Sequence, residues 1–171
     1  MKNIILTGMM GAGKTTAGKE LSGILIDFSF IDMDSEIEKE LGVSISEIFE
    51  EHGEAYFRDI ETDFLKKYSN QSNLIISTGG GIVERSENID LIKKNGIMFY
   101  LSAPAEELFE RIKHTTNRPL LAIPNPCDKI KELLNRREKY YKKADFEIIT
   151  TNKTIREIAQ EIVKNYKNYG K

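Results

Sequence analysis

Cysteine is nearly missing from this chain: Cys127 stands alone among 171 residues. An intramolecular disulfide is therefore excluded, and a reducing cytoplasm is the simplest setting. Cys127 lies in a Pro/Asn-rich stretch without the surroundings of a reactive thiol, so it reads as structural or incidental. Histidine is scarce too, and His52 and His114 have no metal-ligand spacing. No apolar run approaches the roughly 18 residues needed to span a bilayer. The apolar run Ile4–Leu6 is too short for a signal peptide, and glycines and a lysine follow it at once, so it reads as a buried first strand. Charge of one sign is lacking as well. The net charge of −2 gives no basic bias toward nucleic acid or an anionic membrane, so any anion site must be built locally. No repeat, long heptad pattern or large apolar stripe demands a protein partner, and a monomer is expected.

What is present suits a globular protein with a real core: 40% hydrophobic and 30% charged residues, at a length that suggests one domain, 1–171. Short apolar runs read as strands at Asn3–Thr7, Phe28–Asp32, Asn73–Ser77, Gly96–Leu101 and Phe146–Thr150. Helical segments fall between them. Lys14–Ile26 carries Ala17, Leu21, Ile24 and Leu25 on one face, and Ser35–Leu41 ends at Gly42. Ser44-Ile45-Ser46-Glu47 opens a short helix as a capping box. Further helices are read over Glu54–Tyr68, Asn88–Asn95, Pro104–Lys113, Asp128–Lys143 and Thr154–Tyr166. His114–Pro126 holds three of the four prolines and no clear period, so it reads as a loop. Strands alternating with helices predict a three-layer α/β/α fold with a five-stranded parallel sheet. Ligands in such sheets sit at the carboxyl ends of the strands. Three unusual segments fall there: Gly8–Thr15, Asp32 with Asp34, and Gly79-Gly80-Gly81.

Gly8-Met9-Met10-Gly11-Ala12-Gly13-Lys14-Thr15 matches G-x-x-x-x-G-K-[ST] in full, with a strand before it and a helix after it. Such a loop curls its backbone N–H groups around phosphate oxygens at a helix N-terminus. Gly11, Ala12 and Gly13 are expected to bind the phosphates of ATP through their backbone. Lys14 is expected to reach the β- and γ-phosphates and the Thr15 hydroxyl to ligate Mg²⁺. Thr16 is either a further phosphate contact or a first-turn helix residue. A guanine-reading Asn-Lys-x-Asp motif is missing, because Thr150-Thr151-Asn152-Lys153-Thr154 lacks the aspartate. The length leaves no room for a motor or helicase domain, so a small-molecule kinase is the remaining class.

Several segments, in order along the chain, resemble the shikimate kinase family. They are the Gly-Met-Met-Gly-Ala-Gly-Lys-Thr-Thr loop, Phe30-Ile31-Asp32-Met33-Asp34, Gly53-Glu54-Ala55-Tyr56-Phe57-Arg58, Ser77-Thr78-Gly79-Gly80-Gly81, Arg118-Pro119-Leu120-Leu121, and Arg137 through Tyr141. The resemblance implies a P-loop kinase fold with substrate-binding helices near 34–68 and a mobile lid near 112–126. It implies transfer of the ATP γ-phosphoryl group to the 3-hydroxyl of shikimate, in aromatic amino acid biosynthesis. By the same resemblance Arg58 and Arg137 bind the substrate carboxylate, which suits arginine's planar fork. Asp34 orients the attacking hydroxyl or takes its proton. Asp32 supports Mg²⁺ through a water or orients Thr15, and Gly79, Gly80 and Gly81 either approach the substrate or form only a tight turn. Arg118 in the lid stabilises charge on the transferred group, and Arg111 stacks on adenine or is a solvated helix charge. Tyr141 stands four residues after Arg137, but Tyr140 offers Arg136 the same pairing, so spacing does not separate them; family spacing from the lid arginine favours Arg137. Ile123-Pro124-Asn125-Pro126-Cys127 departs from the family's glycine-containing segment. The alternatives are a gluconate-type or nucleoside monophosphate kinase, or a non-catalytic ATP-binding module.

Overall fold

The computed structural model describes residues 1–113 and 125–170. Its five strands are β1 (Asn3–Thr7), β2 (Ser29–Asp32), β3 (Leu74–Ser77), β4 (Gly96–Ser102) and β5 (Phe146–Ile149). All pair in parallel, in the order β2-β3-β1-β4-β5. The three inner strands are buried almost throughout, which is why they read as unbroken apolar runs rather than alternating ones. The helices are α1 (Lys14–Ile24), α2 (Met33–Leu41), α3 (Ile45–Tyr68), α4 (Ser86–Asn95), α5 (Ala105–Ile112), α6 (Pro126–Tyr141) and α7 (Ile155–Asn168). Among the described residues no helix is long and apolar enough to cross a membrane.

The register sorts the strand side chains onto two faces. Phe30, Ile75 and Ile4 are cross-strand partners, and the Phe30 ring fills the space over Gly18 of α1. Ile76 and Ile5, one residue further along and so on the opposite face, border a small cavity with Leu65 and Tyr68 of α3 and Leu91 and Ile92 of α4. Helices thus cover both faces, with α7 packed beside α1. The carboxyl ends of β1, β2 and β3 are left facing the start of α1, where the site forms.

Local departures from the sequence reading have local causes. Helix α1 stops at Ile24 because Leu25 leaves helical geometry, so Ile24 is 41% exposed and does not join Ala17 and Leu21 in the core. Ser44 opens α3 as expected, its hydroxyl accepting from the Glu47 amide while the Ser44 amide donates to the Glu47 carboxylate. The two helices expected around Gly53 are consecutive arms of α3, broken only where Gly53 takes φ 80° and ψ 175°. Helix α6 begins at Pro126 rather than Asp128, the proline sitting in the first turn where its missing N–H is harmless. The predicted lid near 112–126, Arg118 included, lies mainly outside the described residues.

Candidate active site

The loop between β1 and α1 has its shape because of its glycines. Gly13 caps α1 in the left-handed region (φ 89°) with no atom nearer than 3.8 Å to an added Cβ, so the backbone alone calls for glycine there. Gly11 combines φ 81° with a carbonyl, that of Leu108, only 2.6 Å from where a Cβ would stand. The first turn of α1 contains no acid, which leaves the positive helix end available to an anion. Lys14 Nζ donates to the carbonyls of Gly8 (2.8 Å) and Met9 (3.0 Å), holding the ammonium against the loop.

Next to it, Thr15 Oγ1 donates to Asp32 Oδ2 at 2.6 Å and lies 3.3 Å from Ser77 Oγ. Asp32 and Ser77 are register partners at the ends of β2 and β3. The other Asp32 oxygen accepts from the Ser35 amide and hydroxyl, capping α2. These hard oxygen donors fit Mg²⁺, which takes one or two protein oxygens and completes its shell with water and phosphate. In the sequence Ser77 only opens the triple-glycine segment at the end of a strand, with no role of its own; the register shows that it joins Thr15.

Across the cleft, α3 presents Arg58, whose side chain is 12% exposed. Its Nη1 donates to Glu61 Oε2 at 2.6 Å and its Nη2 to Glu54 Oε1 at 2.8 Å. Burial opposes the Arg58 charge, but Glu61 and Glu54 hold its pKa above the usual value. Glu61 is fully buried. Burial pushes its carboxyl up to about 7 against the pull of Arg58, with the charge of Asp34 adding to the rise. Its Oε1 has no hydrogen-bond partner among the described residues.

The triple glycine is built around these side chains. A Cβ on Gly79 would sit 2.5 Å from Glu61 Oε1 and 3.1 Å from Asp34 Oδ1, and one on Gly81 would overlap the Arg58 guanidinium. Gly79 and Gly81 are therefore small to admit the protein's own charged groups. Only at Gly80 would a Cβ meet nothing closer than 3.5 Å. The Gly80 carbonyl accepts from Tyr141 Oη at 2.5 Å, and Tyr141 stacks on Tyr100 with ring centroids 4.8 Å apart.

Arg136 and Arg137 separate clearly. Arg137 is 7% exposed, donates from Nε to Glu84 Oε1 at 2.7 Å and lines the cleft beside Gly80. Arg136 is 48% exposed, reaches the same Glu84 from outside and does not line the cleft. Glu61 pairs with Arg58 locally, three residues on along α3, whereas Glu84 carried no motif in the sequence and meets Arg137 only when α6 packs against its segment.

Arg111 lines the cleft and is bonded within the protein rather than being a solvated helix charge. It donates to the Gly11 carbonyl (3.3 Å), Thr150 Oγ1 (2.9 Å), the Thr150 carbonyl (3.2 Å) and Glu107 (2.5 Å). It ties the phosphate loop to the end of β5 instead of lying solvated.

One cleft of about 1000 Å³ gathers every predicted site residue except Arg118, which lies outside the described residues. A phosphate-binding loop and helix N-terminus line one part, and an aspartate with the half-buried Arg58 and the buried Arg137 lines the other. With a parallel sheet of order 2-3-1-4-5, this arrangement defines a P-loop phosphotransferase acting on a small anionic acceptor. Comparison with known proteins narrows the class. The sequence profile of the shikimate kinase family matches residues 10–167. A shikimate kinase from Thermodesulfovibrio yellowstonii is 49% identical over 97% of this chain and 95% of its own. The structure of a shikimate kinase from Acinetobacter baumannii in complex with shikimate superposes with a TM-score of 0.93 at 39% identity, covering 100% of this chain and 96% of that one. A gluconokinase from Sinorhizobium meliloti, at 14% identity and a TM-score of 0.65, shares the fold alone. This chain belongs to the shikimate kinase family.

Proposed function

We propose that the chain, as a single P-loop kinase domain, transfers the γ-phosphoryl group of ATP to the 3-hydroxyl of shikimate, giving 3-phosphoshikimate and ADP for aromatic amino acid biosynthesis. The observation that carries this reading is the presence of Asp34 together with the largely enclosed arginines Arg58 and Arg137 in one cleft with the phosphate loop. Two arginines suit a carboxylate and an aspartate suits a hydroxyl; a neutral polyol or a nucleobase has no use for the arginine pair.

The roles follow from position. The backbone of Gly11–Gly13 and the start of α1 hold the β- and γ-phosphates, with Thr16 as a further contact. Lys14 exchanges its loop carbonyls for phosphate oxygens as the nucleotide enters. The Thr15 hydroxyl would hold Mg²⁺, with Asp32 supporting it through a water or orienting Thr15, and the ion would neutralise charge on the phosphates. Arg58 and Arg137 fix the acceptor carboxylate, while Gly79–Gly81 shape the floor under its ring. Asp34 aligns the 3-hydroxyl and takes its proton as the oxygen–phosphorus bond forms and the bond to the ADP oxygen breaks. Positioning and charge neutralisation supply most of the rate in such reactions. By the family resemblance Arg118 stabilises charge on the transferred group, and Arg111 holds the nucleotide end of the loop. The chain works in the cytoplasm as a monomer, without nucleic acid or membrane.

The test is ADP release coupled to shikimate. Turnover that depends on shikimate is expected. Turnover with gluconate or a nucleoside monophosphate and none with shikimate refutes the reading.

A further inference from the structure

Four acids crowd the two acceptor arginines, and they are not equivalent. Glu61 is fully buried and bonded to Arg58 Nη1, Glu84 is 23% exposed and bonded to Arg137, and Asp34 lies beside Gly79. Glu54 differs from them: its side chain is 56% exposed, and its Oε1 takes Arg58 Nη2 at 2.8 Å. It is the first residue after the break at Gly53, so its exposed side chain leaves the start of a helical arm next to Arg58 and is free to turn toward water. The hydrogen bond from Arg58 holds its carboxyl below the usual carboxylate range despite partial burial, and the charges of Arg58, Arg136 and Arg137 act in the same direction. The Glu54 carboxylate therefore sits in the combined field of the groups assigned to the acceptor's carboxylate.

Resting on the shikimate kinase reading, we propose that Glu54 is an internal competitor for the acceptor's carboxylate, occupying the outward donor of Arg58 until an anionic acceptor displaces it. Glu61 does not leave Arg58, because swinging out would strip a buried charge of its partner. Glu54 leaves at little cost, because water receives it. The competition falls on anionic acceptors alone: an acceptor with a carboxylate exchanges one ion pair for another, whereas a neutral acceptor leaves Arg58 closed against Glu54. It also weakens binding of the proper substrate, since part of the attraction of Arg58 is spent on Glu54.

The experiment compares wild type with Glu54→Gln, which keeps the size of an exposed side chain and removes its charge. Binding of shikimate and of its neutral methyl ester is followed by titration calorimetry, and the KM for shikimate by ADP release. The variant is expected to bind shikimate about three- to fivefold tighter, with a matching fall in KM, as removal of one exposed like charge predicts. Its affinity for the methyl ester should be unchanged, and the gain should shrink as salt screens the charge. Unchanged or weaker shikimate binding overturns the proposal and makes Glu54 a positioning residue for Arg58. An equal gain for the ester overturns it too. A wild-type protein that neither binds nor turns over shikimate sinks the functional reading itself, a result distinct from either of these.

Discussion

Replacing Gly81 by alanine tests the acceptor site without touching a charged residue. Gly81 has φ −92° and ψ −5°, which alanine adopts without strain. The new methyl group would overlap the Arg58 guanidinium, well inside the 3.4 Å of ordinary contact. Arg58 sits at the end of a flexible side chain, so it yields by roughly 1 Å while the backbone stays in place, and a misplacement of that size at a positioning group costs about 10²-fold in rate. A fall of about 10²-fold in kcat/KM for shikimate, or about 2.7 kcal/mol of transition-state stabilisation, is therefore expected, carried mainly by KM. ATP binding should be unchanged, because the phosphate loop is untouched. Gly80→Ala is the control: its Cβ meets no protein atom closer than 3.5 Å, so any loss there must come through the bound acceptor. Steady-state kinetics with each substrate varied, plus a thermal melt, decide the matter. A Gly81→Ala enzyme with kcat/KM within twofold of wild type would refute the claim that this glycine exists to admit Arg58.

The remaining predictions use the same cleft. Glu61 has its carboxyl raised from 4.5 to about 7, so the folded state binds the proton more tightly than the unfolded one. Its contribution to stability is fully present below pH 4.5 and is lost as pH rises through about 7. Urea denaturation should show the stability difference between wild type and Glu61→Gln shifting against wild type by at most about 3 kcal/mol over that window; a difference that stays constant or shifts in favour of wild type contradicts the assignment. Arg137→Ala should raise the KM for shikimate by an amount equivalent to about 2–5 kcal/mol of lost binding, while Arg136→Ala should change it little; the reverse order would move the subsite to Arg136. Lys14→Ala should abolish turnover, and Asp34→Asn should lower kcat far more than it changes the KM for ATP. An unaltered kcat in Asp34→Asn removes that residue from proton handling.

The donor side of the cleft was open to reading from the sequence because its constraints are local. A positive φ at Gly13 and a helix that starts at Lys14 are properties of eight consecutive residues, and Ser44 with Glu47 is likewise a four-residue device. Strand positions were legible for a related reason: central parallel strands are buried on both faces, so Ile4–Leu6 and Ile97–Leu101 carry unbroken apolar runs. What escaped depends on packing across distance. Arg136 and Arg137 each have a tyrosine four residues on, and only the approach of α6 to Glu84 and Gly80 buries one and leaves the other in water. Ser77 gained meaning through its register with Asp32, 45 positions away in a different strand. Ile24 kept the helical spacing of a core residue, yet the helix ended beneath it.

The two halves of the cleft also handle charge differently. The donor half uses backbone: N–H groups at the start of α1, with Lys14 held on loop carbonyls. It carries no permanent counter-anion in the first turn, so an incoming phosphate meets an unneutralised helix end. The acceptor half uses side chains, and each arginine arrives already paired, Arg58 with Glu61 and Glu54, Arg137 with Glu84. A fixed buried partner such as Glu61 keeps the guanidinium in place and prevents an unpaired charge in the core. The cost is that a substrate carboxylate meets arginines whose charge is largely spent. Under the proposed assignment, binding there would be an exchange of carboxylates at Arg58 rather than the filling of a bare cationic site, and exchange would favour the ligand whose geometry fits the two arginines together. The glycine triplet makes this arrangement possible, because side chains at Gly79 or Gly81 would push Glu61, Asp34 or Arg58 out of the positions that set the exchange.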